Sequence, residues 1–378
     1  MARRSTRRPA ARGRSVRYAV VGIGHIAQAA MLPAFRHAAR NSTLTALISH
    51  DPKKLDQLGR RYRVPHLCDY EAAGELFASG AVDAVYIALP NSLHRDYAVL
   101  AASCGLHVLC EKPLAVTARD CEVMIATARA HRVKLMTAYR LHFEHASLEA
   151  VQLVRSGKLG VPRFFSSEFS MQVSPHNIRL ERELGGGPLY DIGIYCINAA
   201  RSVFAADPVE VWATATRSRD RRFREVDETV SAVLRFKDER IAAFTCSFGA
   251  ADRSVYTVTG TRGSITVEPA YEYAEGLAYE VCLGGRIRKK RCAKSDQFAA
   301  ELLYFSDCIL KNRQPEPSGE EGLVDVRIIE GLSQSLRKGR WVALNAKPRA
   351  RRPTLRQEIR RPAVPREPKL VDAESASQ

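Results

Sequence analysis

Two short runs constrain this chain more than any others. Val85-Tyr-Ile-Ala-Leu89 is apolar throughout and stops at Pro90-Asn91, and His107-Val-Leu-Cys110 stops in the same way at Glu111-Lys112-Pro113. An uninterrupted apolar run of this length reads as a strand buried on both faces, which is the habit of parallel sheets covered by helices. Both runs therefore end at a carboxyl edge, and neighbouring strands would bring Asn91 and Lys112 to one crevice. Open α/β sheets bind their ligands in that position.

The segments around these runs extend the pattern. Val16 to Val21 reads as a strand, Gly22-Ile-Gly24 as a turn, and His25-Ile26-Ala27 as the start of a helix reaching about Ala39. Gly22 permits the tight turn, Gly24 lets the backbone approach a pyrophosphate, and the small Ala27 allows helix and strand to pack closely. A second strand, Thr43 to Ile48, ends at Ser49-His50-Asp51-Pro52. An NAD site usually places an acid at this strand end to take the ribose hydroxyl. Asp51 is instead read as the cap of the next helix, with Pro52 in its first turn. Ser49, His50 and Lys54 are left for a 2′-phosphate, which favours NADP over NAD.

A helix over about 71–78, another from near Ser92 carrying His94, a third with Thr117 as its cap, and a strand from Val133 to Ala138 complete a six-stranded, doubly wound Rossmann domain over 16–138. His94 is placed at the cofactor crevice in a packing or nicotinamide-edge role.

Beyond Tyr139-Arg140 the pattern changes. Strands at 163–171, 209–216, 230–236, 241–247, 254–260 and 264–267 follow one another with few helices between, which predicts an α+β domain over 139–346 with a mostly antiparallel, open-faced sheet. Helices are expected at about 295–311 and 321–338. Between the first two strands lies Gly185-Gly-Gly-Pro-Leu-Tyr-Asp-Ile-Gly-Ile-Tyr195. Asp191 and Tyr195 are four apart and share a helical face. Gly193 between them weakens the helix and implies close contact with another surface. A carboxylate and a phenol beside Lys112 can transfer protons, with the lysine favouring the phenolate and holding a substrate oxygen. Taken alone, the segment is equally well read as a core tyrosine with a satisfied hydroxyl.

Composition removes some classes. No apolar run approaches the roughly 20 residues of a membrane helix. The net charge of +17 sits mostly in the tails: residues 1–17 hold seven arginines and no acid, and residues 347–378 hold nine basic against four acidic side chains. Twelve of the seventeen charges thus fall within 1–17 and 347–378, and the tails (1–15 and 347–378) are expected to be solvated rather than a nucleic-acid surface. Nine cysteines without a Cys-x-x-Cys pair fit a reducing cytoplasm. The first apolar run is already the first strand, so no secretory signal is read. His142 and His145 lack a third ligand nearby, and no metal is expected.

These residues together resemble the glucose-fructose oxidoreductase, inositol dehydrogenase and MocA family (Gfo/Idh/MocA) from about Val16 to Leu344. The resemblance rests on Val21-Gly-Ile-Gly-His-Ile-Ala27, Leu89-Pro-Asn-Ser-Leu-His94, Cys110-Glu-Lys-Pro113, Ala138-Tyr-Arg140, Gly185 to Tyr195, and Gly319 to Arg327. Many members carry histidine where this chain has Tyr195. The tyrosine, the Arg179-Leu-x-Arg-Glu-Leu184 wording and Ser49 are similar to the glucose-fructose oxidoreductase branch.

The resemblance implies Lys112, Asp191 and Tyr195 as the catalytic set. It implies a cofactor site comprising Gly22, Gly24, His25, Ile26, Ala27, Ser49, His50, Lys54, Leu89, Pro90, Asn91, His94, Glu111, Lys112, Arg140 and Arg179. It further implies NADP, a cyclic sugar substrate, and a dimer or tetramer built on the second sheet. Two other readings stand beside it: a keto-sugar or anhydro-sugar reductase with freely exchanging cofactor, and a non-catalytic NADP-binding regulator.

Overall fold

The computed structural model describes residues 15–345, 352–365, 368–373 and 375–376. Its first sheet is parallel and six-stranded, in the order β3-β2-β1-β4-β5-β6. The strands are β1 (Val16–Val21), β2 (Ser42–Ile48), β3 (His66–Cys68), β4 (Ala84–Ile87), β5 (His107–Glu111) and β6 (Leu135–Ala138). Between them run helices α1 (Leu32–Ala38), α2 (Pro52–Tyr62), α3 (Ala73–Ala78), α4 (His94–Ser103) and α5 (Ala118–Ala130). Strand order reverses between β1 and β4, so the crevice opens where Gly22 and Leu89 leave the sheet. Both faces are covered, and every residue of β4 is buried, as an all-apolar run requires. The expected caps are present: Asp51 accepts from the Lys54 amide and Thr117 from the Asp120 amide. The edge strand β3 carries no apolar run; two of its three residues are exposed.

The second sheet has nine strands, ordered β14-β13-β12-β11-β7-β10-β9-β8-β15. They are β7 (Pro162–Gln172), β8 (Glu210–Thr216), β9 (Thr229–Arg235), β10 (Ile241–Ser247), β11 (Gly249–Gly260), β12 (Gly263–Val267), β13 (Ala278–Leu283), β14 (Arg286–Arg291) and β15 (Val342–Ala343). All pairings are antiparallel except β7 with β10. Helices α6 (His145–Arg155) and α7 (Ile194–Phe204) pack on one face. On the other, Phe164 and its pairing partner Ile241 stay exposed beside hydroxyl pairs such as Ser231–Thr245 at 2.8 Å.

Two helices join the halves. The helix α8 (Gln297–Leu310) lies late in the chain yet packs its Phe298, Leu302, Leu303 and Phe305 into the core of the first sheet. The helix α9 (Gly319–Lys338) lies against α5, β6 and β8. Gly322 permits this approach, since a Cβ there would fall 2.6 Å from the Thr137 hydroxyl and 2.7 Å from Leu114.

The expectation of a solvated C-terminal tail is corrected by the described residues. Arg352 is 7% exposed on its side chain and pairs with Asp207 at 2.9 Å. Ile359 packs on the first core, and Val371 is 5% exposed within it. Residues 1–14 lie outside the described residues. One arginine in that C-terminal stretch is structural: Arg352 meets a buried carboxylate. Among the described residues no helix is long and apolar enough to cross a membrane.

Candidate active site

The carboxyl end of β5 places Lys112, and a distorted helical turn opposite places Asp191. Leu189–Gly193 is one turn of π-helix leading directly into α7, a distortion often found at functional sites. Gly193 lets the turn pack closely: a Cβ would sit 3.1 Å from Cys246 Sγ on β10, a tight contact. Gly186 is more strongly constrained, because its Cβ position is 2.4 Å from the Arg179 carbonyl. The three glycines therefore let chain lie against chain; Asn91 Nδ2 donates to Gly185 O at 2.9 Å across the crevice.

Asp191 sits between two cations. Lys112 Nζ donates to its backbone carbonyl at 2.7 Å and to Oδ1 at 3.0 Å, while Arg179 Nε donates to Oδ2 at 2.6 Å. Burial alone would raise the Asp191 carboxyl, but Arg179 and Lys112 outweigh it and hold it well below the usual carboxylate range. Burial likewise opposes the charge on Lys112, and Asp191 leads the attractions that keep its pKa raised. The half-buried Tyr195 lies over this pair, with Lys112 Nζ 4.8 Å from its ring centroid. Lys112 thus faces the ring rather than the hydroxyl. The group nearest the phenol oxygen is Arg140, whose Nη2 is 3.4 Å away. Arg140 is fixed there by Tyr271 O at 2.5 Å, Gln297 Oε1 at 2.5 Å and Glu272 O at 3.2 Å.

The remaining predicted residues separate into two groups. Gly22, Gly24, His25, Ile26 and Ala27 form the turn and first helical residues above β1. Gly22 has φ +87° and its Cβ position lies 2.5 Å from Ala88 O, so packing demands it. Gly24 differs: nothing lies within 4 Å of its Cβ position. The open space over an exposed glycine at a helix start fits a dinucleotide's pyrophosphate, and the residues present fit such a group. Burial lowers the His25 pKa, with Arg179 adding to the effect. Leu89, Pro90 and Asn91 stand half-buried at the strand end.

The second group makes contacts within the protein. His94 is fully buried, with Nδ1 2.8 Å from Pro113 O and Nε2 3.0 Å from Leu89 O. Burial lowers its pKa, so the neutral ring donates to one of these two carbonyls, and both nitrogens face backbone oxygens. Glu111 takes the Tyr86 hydroxyl at 2.6 Å. Ser49 Oγ accepts from the Asp51 amide and keeps its own O–H to donate, and Lys54 Nζ is 3.6 Å from Asp51 with further N–H donors to spare. His50 is exposed, its ring 5.9 Å from that of Tyr70. His142 bonds Asn198 at 2.7 Å while His145 pairs with Glu149 at 2.9 Å, and among the described residues no cluster could hold a metal ion.

A glycine turn feeding a helix, a strand-end lysine and a tyrosine beneath a guanidinium define a nicotinamide-dependent oxidoreductase. The match to family models agrees: residues 16–139 match the oxidoreductase family with an NAD-binding Rossmann fold, and residues 147–266 match the Gfo/Idh/MocA C-terminal domain. The chain belongs to the Gfo/Idh/MocA family. It is 33% identical over 340 residues to a D-xylose 1-dehydrogenase [NADP(+)] of Haloarcula marismortui, spanning 88% of this chain and 94% of that protein. Among solved structures it resembles the aldose-aldose oxidoreductase of Caulobacter crescentus complexed with glycerol, with TM-score 0.84 and 38% identity over 88% of this chain and all of that one. A 3-ketoreductase from Actinomadura kijaniata in complex with NADP and TDP-benzene aligns with TM-score 0.78 and 26% identity, over 85% of this chain and 98% of that one.

Proposed function

We propose that Tyr195 is the proton donor and acceptor of an NADP-dependent sugar oxidoreductase, acting on a CH–OH group of a cyclic aldose or polyol and, in reverse, on the lactone or keto-sugar. The observation that carries this reading is the Lys112–Asp191–Arg179 cluster beneath a half-buried phenol that has a guanidinium at its oxygen. NADP, when bound, accepts the hydride at its nicotinamide. As phenolate, Tyr195 takes the hydroxyl proton as the carbonyl forms, and Arg140 stabilises the negative charge that its oxygen carries before that transfer and regains when the reverse reaction draws the proton away. Lys112 gives two of its three N–H donors to Asp191, leaving one for the substrate oxygen. Asp191 orients Lys112 and Arg179.

The test is the near-ultraviolet absorbance of reduced nicotinamide, read on purified protein supplied with NADP before and after a panel of aldoses. A rise with one sugar, reversed by a lactone or keto-sugar, is the expected result. No change in protein shown to bind NADP would shift the reading to a regulator.

Two further properties belong to the proposal. The exposed Phe164–Ile241 pair and its hydroxyl-lined surroundings support a dimer or tetramer through the open face of the second sheet. Light scattering should give a multiple of the chain mass, reduced to one chain by Phe164→Glu; a monomeric parent would remove the idea. Nine free thiols support a cytoplasmic location, which fractionation of cells would check.

A further inference from the structure

The C-terminal residues reach the glycine turn and then cross to the other domain. Val371 is buried in the core of the first sheet, and its backbone is read by one side chain: its amide donates to Gln28 Oε1 at 2.7 Å, and Gln28 Nε2 donates to its carbonyl at 2.9 Å. The same Gln28 Nε2 also donates to Ile23 O at 2.8 Å. Ile23 is the middle residue of the Gly22-Ile23-Gly24 turn, so a single buried amide couples the tail to the pyrophosphate-binding turn. On either side of Val371 the segment lies along α2. Arg61 donates to Lys369 O at 2.6 Å, and Asp372 pairs with Lys53 at 2.9 Å, beside the position proposed for the 2′-phosphate. Four residues beyond Asp372, Ala376 O accepts from the Ser174 amide at 3.0 Å, at the end of β7 in the second domain. The described residues of the tail thus meet α2 of the first domain and the end of β7 in the second.

We propose that residues 368–373 are a strap that lies over bound NADP(H), holds the glycine turn through Gln28, and sets the rate of cofactor exchange. The proposal rests on the reading of the crevice as an NADP site. Its anchor is Val371 and the Gln28 amide, since the Asp372–Lys53 pair is exposed and contributes little. Docking of the strap and binding of the cofactor then favour one another, and such coupling is reciprocal.

Both directions can be measured. In the first, NADPH release into excess NADP is followed by stopped-flow fluorescence for the full chain, a chain ending at residue 367, and Val371→Asp. Release should quicken about tenfold in both variants, an ordinary size for coupled sites, while sugar turnover at saturating NADP stays within about twofold. Unchanged release from both variants overturns the strap. In the second, which needs no variant, trypsin cleavage after Lys369 in the full chain is timed with and without NADP. Cleavage should slow about tenfold with NADP, by the same linkage; equal rates overturn the proposal even where a variant fails to fold. A full chain that binds no NADP would overturn the cofactor reading itself, whereas tight binding with strap-independent release overturns only the strap.

Discussion

Tyr195→Phe should lower sugar turnover by about 10²- to 10⁴-fold, the usual contribution of a positioned acid or base, while the dissociation constant for NADP changes by less than about twofold. The phenylalanine keeps the ring and its packing: Phe169 and Tyr271 lie 5.7 and 5.9 Å from it, centroid to centroid, and Lys112 stays over its face. Only the hydroxyl is lost, and with it the hydrogen bond from Arg140. That bond has little stability at stake, because Arg140 retains Tyr271 O, Gln297 Oε1 and Glu272 O. The loss should therefore fall on kcat and kcat/KM together, the sign of an interaction made in the transition state. Steady-state kinetics beside fluorescence titration of NADPH separate the two quantities. Equal loss of turnover and of cofactor affinity would instead make Tyr195 a wall of the crevice.

The proposed catalytic set was legible because each member obeys a local rule. Lys112 follows an apolar strand, so the topology had to deliver it to the carboxyl edge; Asp191 and Tyr195 are four apart; Gly193 announced the contact with Cys246. Arg140 was assigned to the cofactor, and its place at the Tyr195 hydroxyl depends on Tyr271, Glu272 and Gln297, more than a hundred residues later in the chain. No spacing rule reaches that far. The hairpin of β13 and β14 did carry a signal in the Gly284-Gly285 dipeptide, whose φ values of +55° and +76° suit a tight hairpin turn. Its second strand reads as a charge run, Arg286-Ile-Arg-Lys-Lys-Arg291, because an edge strand with both sides wet needs no apolar alternation. The docked tail has no periodicity at all. It is held by single residues, Arg352, Ile359 and Val371, each meeting a site formed by distant chain.

Arg201→Met should destabilise the protein by about 3–5 kcal/mol, the typical cost of removing one partner from a buried ion pair. Arg201 is fully enclosed on α7, two turns beyond Tyr195. It gives Nε to Asp207 at 2.8 Å and Nη1 to Glu321 at 2.8 Å and Asp325 at 2.5 Å. Asp325 also receives the Tyr139 hydroxyl and the Asn198 amide, and Arg352 is the second cation at Asp207. Methionine fills similar space but removes the cation that the carboxylates of Asp207, Glu321 and Asp325 share. In the parent, burial raises the Asp207 carboxyl, but Arg201 and Arg352 outweigh it and depress its pKa. Its stabilising contribution is therefore present above the unfolded carboxyl pKa and lost as pH falls through the folded value. In the variant the sign reverses, since buried carboxylates without their cation bind protons more readily folded than unfolded, and acid restores stability. Urea unfolding of both proteins between neutral pH and about pH 4 should show a gap that narrows towards acid. A gap that stays constant with pH would mean the loss is one of packing rather than of charge. Because the cluster joins α7 to α9, and α9 lies against β6, the variant's folded fraction should also lose turnover through displacement of Tyr195. That loss should ease in parallel with stability as the carboxylates are protonated.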